Sequence, residues 1–292
     1  MTVAVATELT ERAQQRRRLR RRFTRRPTAV IGLVGIVVFV LVALFGPLLS
    51  PDDPNATNYN AIFVSPFSPG HLLGTDDLGR DVLSRLIVGT RASMEAGVLA
   101  TLIAAVIGVL CGLFAGYYRG WLDTLVARAT DVLLSFPFAV LAVGLASILG
   151  PSLTNAIIAL AVSLIPTFIR VTRAEVLGLR EQDYVQAALV SGATTRFIVF
   201  GHILRNCLTP LVVQATVAIP GSIIGAAMLS FLGLGEQPPT ASWGTMLSES
   251  QNYLGQAAWF ALFPGAAIAL ATLSFNMFGD GLADVLDPKG DQ

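Results

Sequence analysis

The sequence predicts an all-α membrane protein with six transmembrane helices, and three observations predict it. Hydrophobic residues make up 53% of the 292 residues and charged residues 13%, about half the charged share of a soluble protein (roughly 25%). The mean hydropathy is +0.66. Six apolar stretches lie at roughly 29–49, 95–118, 132–150, 153–172, 207–232 and 257–279, each near the ~20 residues that a helix needs to cross a bilayer.

The elements follow in order. Residues 1–28 form an Arg-rich tail that holds nine of the 20 basic residues: Arg12, Arg16, Arg17, Arg18, Arg20, Arg21, Arg22, Arg25 and Arg26. Beside an apolar span such a run reads as a cytoplasmic topology anchor resting on anionic headgroups, not as a nucleic-acid-binding arm. Residues 29–50 are the first transmembrane helix. Its apolar run, Ala29–Leu49, has 21 residues, longer than the ~7–15 of a signal-peptide core, and no Ala-x-Ala site follows it.

Residues 51–92 form an extracytoplasmic loop. It opens on the turn formers Pro51-Asp52-Asp53-Pro54. From Asp81 the spacing of Val82, Leu83, Leu86 and Ile87, with Arg85 opposite, predicts an amphipathic helix lying at the membrane interface. Residues 93–282 form a core of five further spans, and residues 283–292 a cytoplasmic tail. With the Arg-rich end inside, six spans return the C-terminus to the cytoplasm. This topology leaves 17 of 20 basic residues inside and only Arg80, Arg85 and Arg91 outside, as the positive-inside bias requires.

Within the spans, Gly108, Gly112 and Gly116, and then Gly221 and Gly225, recur four apart, a spacing that lets helices approach closely in lipid. Pro137, Pro166, Pro220 and Pro264 are expected to kink their spans. Cys111 and Cys207 read as small buried hydrophobes. His71 and His202 stand apart and read as loop contacts or caps, so no metal site is expected.

The chemistry of a self-powered transporter is missing. No ionisable residue lies well inside a span; Glu95, Asp123, Asp131, Arg170 and Asp280 sit near ends. A proton- or sodium-coupled carrier usually needs one in the bundle. No G-x-x-x-x-G-K-[ST], H-E-x-x-H or G-x-S-x-G occurs. A pathway without an internal engine is passive or is driven by a partner.

One segment points to the partner. Between greasy runs lies YVQAALVSGATTRFIVFGHILR, Tyr184–Arg205. Ala187 and Ala188 favour a short helix of little bulk, and Gly192 can end it in the left-handed conformation. A second amphipathic run, Phe197-Ile198-Val199-Phe200, follows. A bent knob of small residues on the cytoplasmic side suits docking into a groove on another protein. Its spacing resembles the Glu-Ala-Ala loop by which permeases of ABC importers plug into an ATPase subunit. Ala187, Ala188, Gly192 and Leu204 fit that pattern; Gln186 stands where Glu is usual and Arg205 where Pro commonly closes the motif.

Other stretches extend the resemblance. His71-Leu72-Leu73-Gly74-Thr75-Asp76 with Gly79-Arg80-Asp81 resembles the loop before the second span of peptide-type permeases. Phe231-Leu232-Gly233-Leu234-Gly235, Gln237-Pro238-Pro239 and Ser242-Trp243-Gly244 resemble their last extracellular segment. Phe275-Asn276, Gly279-Asp280-Gly281-Leu282 and Asp287-Pro288 resemble their C-terminal end. From about Arg25 to Lys289 the chain resembles the C-type permease subunit of dipeptide, oligopeptide and nickel ABC importers. Each motif also has a plain reading: glycines that end helices, a stiff Pro-Pro turn, a Trp at the headgroup level. Those readings explain the residue types but not their joint order.

The resemblance implies a type I ABC importer permease fold in a bacterial cell membrane, with a peripheral span before a core of five. It implies a heterodimer with a homologous permease, two ATP-binding domains below, and an extracytoplasmic peptide-binding lipoprotein above. No cofactor is expected in this chain, since ATP and Mg would be bound by the ATPase partners. Gln186, Ala187, Ala188, Gly192, His202 and Leu204 would form the ATPase-coupling loop within 184–205. Thr75, Asp76, Gln237, Pro238, Pro239 and Trp243 would take part in docking the binding protein. Peptide is favoured over nickel because no His or Met cluster suits a metal. A passive channel or scaffold without an ATPase is the alternative from another class.

Overall fold

The computed structural model describes Thr24 and residues 26–286. The arginines from Arg12 to Arg25, and the Asp287-Pro288 motif with Lys289, lie outside the described residues. No β-strand occurs among those described, only isolated bridges at Ser68–His71 and Thr75–Asp81.

Helix α1 (Pro27–Leu49) starts on proline, whose missing N–H costs nothing at a helix N-terminus. Most of its side chains face outward. Gly32 and Gly35 press it against α9 (Ala258–Leu286), where a Cβ on Gly32 would lie 2.5 Å from the Phe278 nitrogen. Arg26 meets Asp284 at 2.5 Å, so the start of α1 and the end of α9 stand side by side.

Helix α2 (Val82–Tyr118) corrects the expected interfacial helix. It is one helix of 37 residues, about 55 Å long at 1.5 Å per residue, against a hydrocarbon core of about 30 Å. Nothing between Asp81 and Arg119 breaks a helix strongly enough to separate an interfacial piece from the span. Its first turns therefore stand above the membrane, with Arg85 fully buried instead of facing solvent. The Asp81 side chain caps it, Oδ2 accepting from Ser84 N at 2.8 Å.

The expected third span, 132–150, is a bent pair. Helices α3 (Gly120–Leu134) and α4 (Phe138–Leu149) meet at 93°. Pro137 sits in the break, where it lacks a donor and disfavours helix at Phe136. Among the described residues five other helices are long and apolar enough to cross a membrane, making six spans with this pair counted as one.

Helix α5 (Leu153–Arg180) runs against α2. The spacing Gly108, Gly112, Gly116 is a close-packing seam, as expected: added Cβ atoms would lie 2.5 Å from Phe168 Cβ, 2.7 Å from Ile169 O and 2.9 Å from Val176 Cβ. Helix α6 (Asp183–Val190) and a π-helical segment (Phe197–Ile203) form the turn expected on the cytoplasmic side. Helix α7 (Leu204–Phe231) sits centrally, touching α2, α5 and α9. Gly225 packs closely on Leu160, but Gly221 has no neighbour within 4 Å, so the second glycine pair is only half a packing seam. A short helix α8 (Trp243–Ser250), closed by a Ser242–Thr245 capping box, lies at the outer end.

Candidate partner-docking surfaces

The cytoplasmic knob grows from the end of α5. Arg180 donates to Tyr117 O at 2.7 Å and lies over the Tyr117 ring, which ties α5 to α2. Gln186 Nε2 donates to Arg180 O at 2.9 Å, so this side chain closes the C-terminus of α5. Val185 is fully buried in a cluster with Leu113, Tyr117, Val176, Ile198 and Ile203. Ala188 and Leu204 are half-buried against that cluster, while Ala187 is exposed. Gly192 adopts φ +76° with nothing within 4 Å of a would-be Cβ. Its N–H bonds Leu189 O at 3.1 Å, and Ala193 N bonds Ala188 O at 3.1 Å, turning the chain back on itself.

His202 packs edge-on to Phe197 at 5.0 Å and near Tyr184, while Asn206 Nδ2 bonds both His202 O and the Tyr184 hydroxyl. All six residues expected to form a coupling loop thus come together in one knob, in different structural roles. Gly192 sets the turn, Ala187 faces out, the exposed Gln186 closes the end of α5, and the half-buried Ala188, His202 and Leu204 brace from within. The sequence reading missed the exposed apolar rim of Leu189, Val190 and Phe197; Val190 is 89% exposed. The unbroken AALV run was the available signal.

The outer end is built differently. Asp76 is fully buried and receives Arg80 Nε at 2.6 Å, with Arg85 Nε 3.5 Å away. Glu249 of α8 bridges Arg80 and Arg85, each at 3.0 Å. Arg85 also donates to the carbonyls of Pro54 and Pro239. Burial holds the Glu249 carboxyl above its usual range against the opposing pull of both arginines, and burial together with Asp76 does the same to Asp77. Asp76, Asp77 and Glu249 have the spacing of a cation site, but two guanidiniums already meet these carboxylates. His71 contacts Asp81, the α2 cap, at 3.0 Å, in keeping with a loop contact.

This arrangement corrects the docking expectation for three residues. Thr75, Asp76 and Trp243 are each 0% exposed. Thr75 Oγ1 bonds Ala61 O and accepts from Val64 N, and Trp243 N bonds Ser93 Oγ at 3.0 Å. They support the outer face and do not form it. Gln237 is half-buried with its amide on Gly233 O and Gly235 O; Pro238 and Pro239 are exposed. Tyr59, Phe67 and Leu72 present apolar side chains on the same outer region, 70%, 82% and 55% exposed. Hydropathy alone could not separate these from core residues.

Residues 108–291 match the family described as binding-protein-dependent transport system inner membrane component, and residues 14–69 match the N-terminal TM domain of oligopeptide transport permease C. The chain belongs to the binding-protein-dependent transport system inner membrane component family. Among curated relatives, this permease is 47% identical to the dipeptide transport system permease protein DppC of Escherichia coli, over 91% of each chain. It is 44% identical to DppC of Alkalihalophilus pseudofirmus over 89% of this chain and 86% of the relative. It is also 44% identical to the probable D,D-dipeptide transport system permease protein DdpC of Escherichia coli, over 90% of this chain and 88% of the relative. A chain of the inward-facing MetNI methionine ABC transporter shares the fold, with a TM-score of 0.60 at 20% identity, covering 70% of this chain and 98% of that one. The permease is therefore a multi-pass, membrane-spanning subunit of an ABC importer, and such a subunit works with ATPase, permease and binding-protein partners.

Proposed function

We propose that this permease carries di- and oligopeptides across a bacterial plasma membrane, taking them from an extracytoplasmic binding lipoprotein. The observation that supports this most strongly is 43–47% identity to peptide permeases over some nine-tenths of the chain. It pairs with a homologous permease, and two ATP-binding domains that hold ATP and Mg dock on the cytoplasmic knob. The adjacent ends of α1 and α9, joined by Arg26–Asp284, fit an arrangement with both termini cytoplasmic.

The geometry supports a stiff linkage. Val185 is locked into the cluster that joins α2, α5 and the π-helical segment. Arg173 and Arg170 of α5 pair with Asp123 and Asp131 of α3. A pull on α6 when the ATPases close is thereby passed to α2, α5 and α3 together. ATP binding then favours one of two bundle states, and access alternates.

The test is uptake by the assembled complex in proteoliposomes. Labelled dipeptide should accumulate only with ATP and binding protein. Nickel uptake without peptide uptake would assign the permease to the nickel branch, and flux without ATP would make it a passive channel.

A further inference from the structure

Most hydroxyls inside the spans bond a carbonyl of their own helix, although Thr130 Oγ1 of α3 is buried without a partner among the described residues. In α7, Thr216 Oγ1 bonds Val213 O at 2.7 Å and Ser222 Oγ bonds Ala218 O at 3.0 Å. In α9, Thr272 and Ser274 bond back in the same way. Two carboxamides do not follow this rule. Gln214 of α7 is half-buried and Asn276 of α9 is exposed, and neither has a hydrogen-bond partner among the described residues. Gln214 and Asn276 lie within the apolar spans Phe197–Phe231 and Ala258–Val285. Lipid offers such groups no hydrogen bond, so an unpaired amide there is unfavourable.

The surroundings are open rather than packed. Gln214, Val217, Gly221 and Ile224 recur at helical spacing on one stripe of α7. Val217 and Ile224 are 55% and 54% exposed, and a Cβ on Gly221 would meet nothing within 4 Å. A glycine in a helix interior is less stable there than alanine, and no close packing among the described residues offsets it. The opposite side of α7 is closed on α2 through Thr101–Ser222 at 2.9 Å. On α9, Asn276 lies between the side that meets α7 at Gly279–Thr216 and the exposed Leu273. Helical phase turns both exposed faces to the side away from α2. Asp280, one turn nearer the cytoplasm than Asn276, is exposed on the same face and has no ion-pair partner among the described residues.

We propose that Gln214 and Asn276, with the open stripe at Gly221 and the carboxylate of Asp280, form a grip for the main chain and ammonium of a peptide inside the translocation path. This rests on the peptide-import reading. A carboxamide both donates and accepts, so it can pair with the free N–H and C=O of an extended peptide whatever the peptide's side chains. A transmembrane helix of a partner has its main-chain groups already bonded and offers no such match. Asp280 supplies the charge complementary to an N-terminal ammonium.

The experiment uses the assembled complex in proteoliposomes, with a labelled dipeptide and the same dipeptide carrying a diazirine. Gln214→Leu and Asn276→Leu should leave copurification of the ATPase intact, which shows that the complex still assembles. Peptide moved per ATP hydrolysed should fall about tenfold. A second arm places Gln214→Cys in a background with Cys111→Ala and Cys207→Ala. The diazirine peptide should crosslink near position 214, and peptide should protect that thiol from a water-soluble maleimide. Unchanged peptide moved per ATP in both Leu variants overturns the proposal. So does a crosslink from position 214 to the partner permease without peptide protection, which would make the stripe a helix–helix seam. If the wild-type complex moves no peptide at all, the peptide reading fails first, before any variant is compared.

Discussion

The two ends of this permease handle charge in opposite ways. At the outer end Asp76, Arg80 and Arg85 are almost wholly buried, and Glu249 joins them from α8 across 164 residues of sequence. At the knob the charged Asp183, Arg196 and Arg205 are exposed, and apolar Val190 and Phe197 stand out between them. The outer end is a structure that holds itself together, since a buried charge is tolerable only when its partners are fixed. The knob leaves apolar surface uncovered, which supports the proposal that a partner protein covers it.

The strongest way to break this comparison is Asp76→Asn. It removes the carboxylate shared by two buried guanidiniums, at 2.6 and 3.5 Å. Breaking a buried pair on one side costs about 3–5 kcal/mol. The expected result is a large drop in the thermal unfolding midpoint of the detergent-solubilised complex. A midpoint like that of wild type would show that the network does not hold the outer end.

The next largest effect concerns the knob, and here the spans should stay intact. Ala187→Glu places a charge on the exposed face, and Gly192→Val forces a β-branched residue to φ +76°. Roughly a hundredfold weaker ATPase association is expected, about 2.7 kcal/mol, with uptake lost. Ala188→Glu sharpens the test. Its charge would enter the cluster around Val185 and Ile198, so it should loosen the knob itself as well as its docking. Normal ATPase copurification with Ala187→Glu and Gly192→Val would remove the coupling role.

Acid should affect the outer end in an unusual direction. The folded-state pKa of Glu249 and of Asp77 is raised, chiefly by burial. The folded state therefore holds these protons more tightly than the unfolded chain, and their contribution to stability falls as pH rises between the ordinary carboxylate value (about 4) and the raised one. Lowering the pH from neutral through that window should raise the stability contributed here, by about 1.4 kcal/mol per carboxyl for each pH unit the window spans. Unfolding midpoints across pH for wild type and Glu249→Gln check this, and the variant should show a shallower dependence. A wild-type dependence of opposite sign, absent in Glu249→Gln, would refute it.

The smallest effect is expected at Arg26→Gln. The pair with Asp284 is more than half exposed on the arginine side, and such pairs contribute about 0–1 kcal/mol. Unfolding should be nearly unchanged, whereas the buried arginines of the outer end should show the contrast.

Much of the molecule was legible in the chain before folding. Span number, the close seam at Gly108–Gly116 and the turn at Gly192 followed from hydropathy, small-residue spacing and the conformational freedom of glycine. These are local properties, summed over a window or held in one residue, and no distant contact is needed to read them. The tertiary structure alone decided that α2 runs unbroken from Val82, that α3 and α4 bend by 93° at Pro137, and that Thr75, Asp76 and Trp243 lie beneath the outer surface. It also decided which carboxamides went unpaired. A lone arginine such as Arg85 reads as solvent-facing until Glu249 reaches it from α8, and whether a polar group is buried or paired depends on partners that sequence distance conceals.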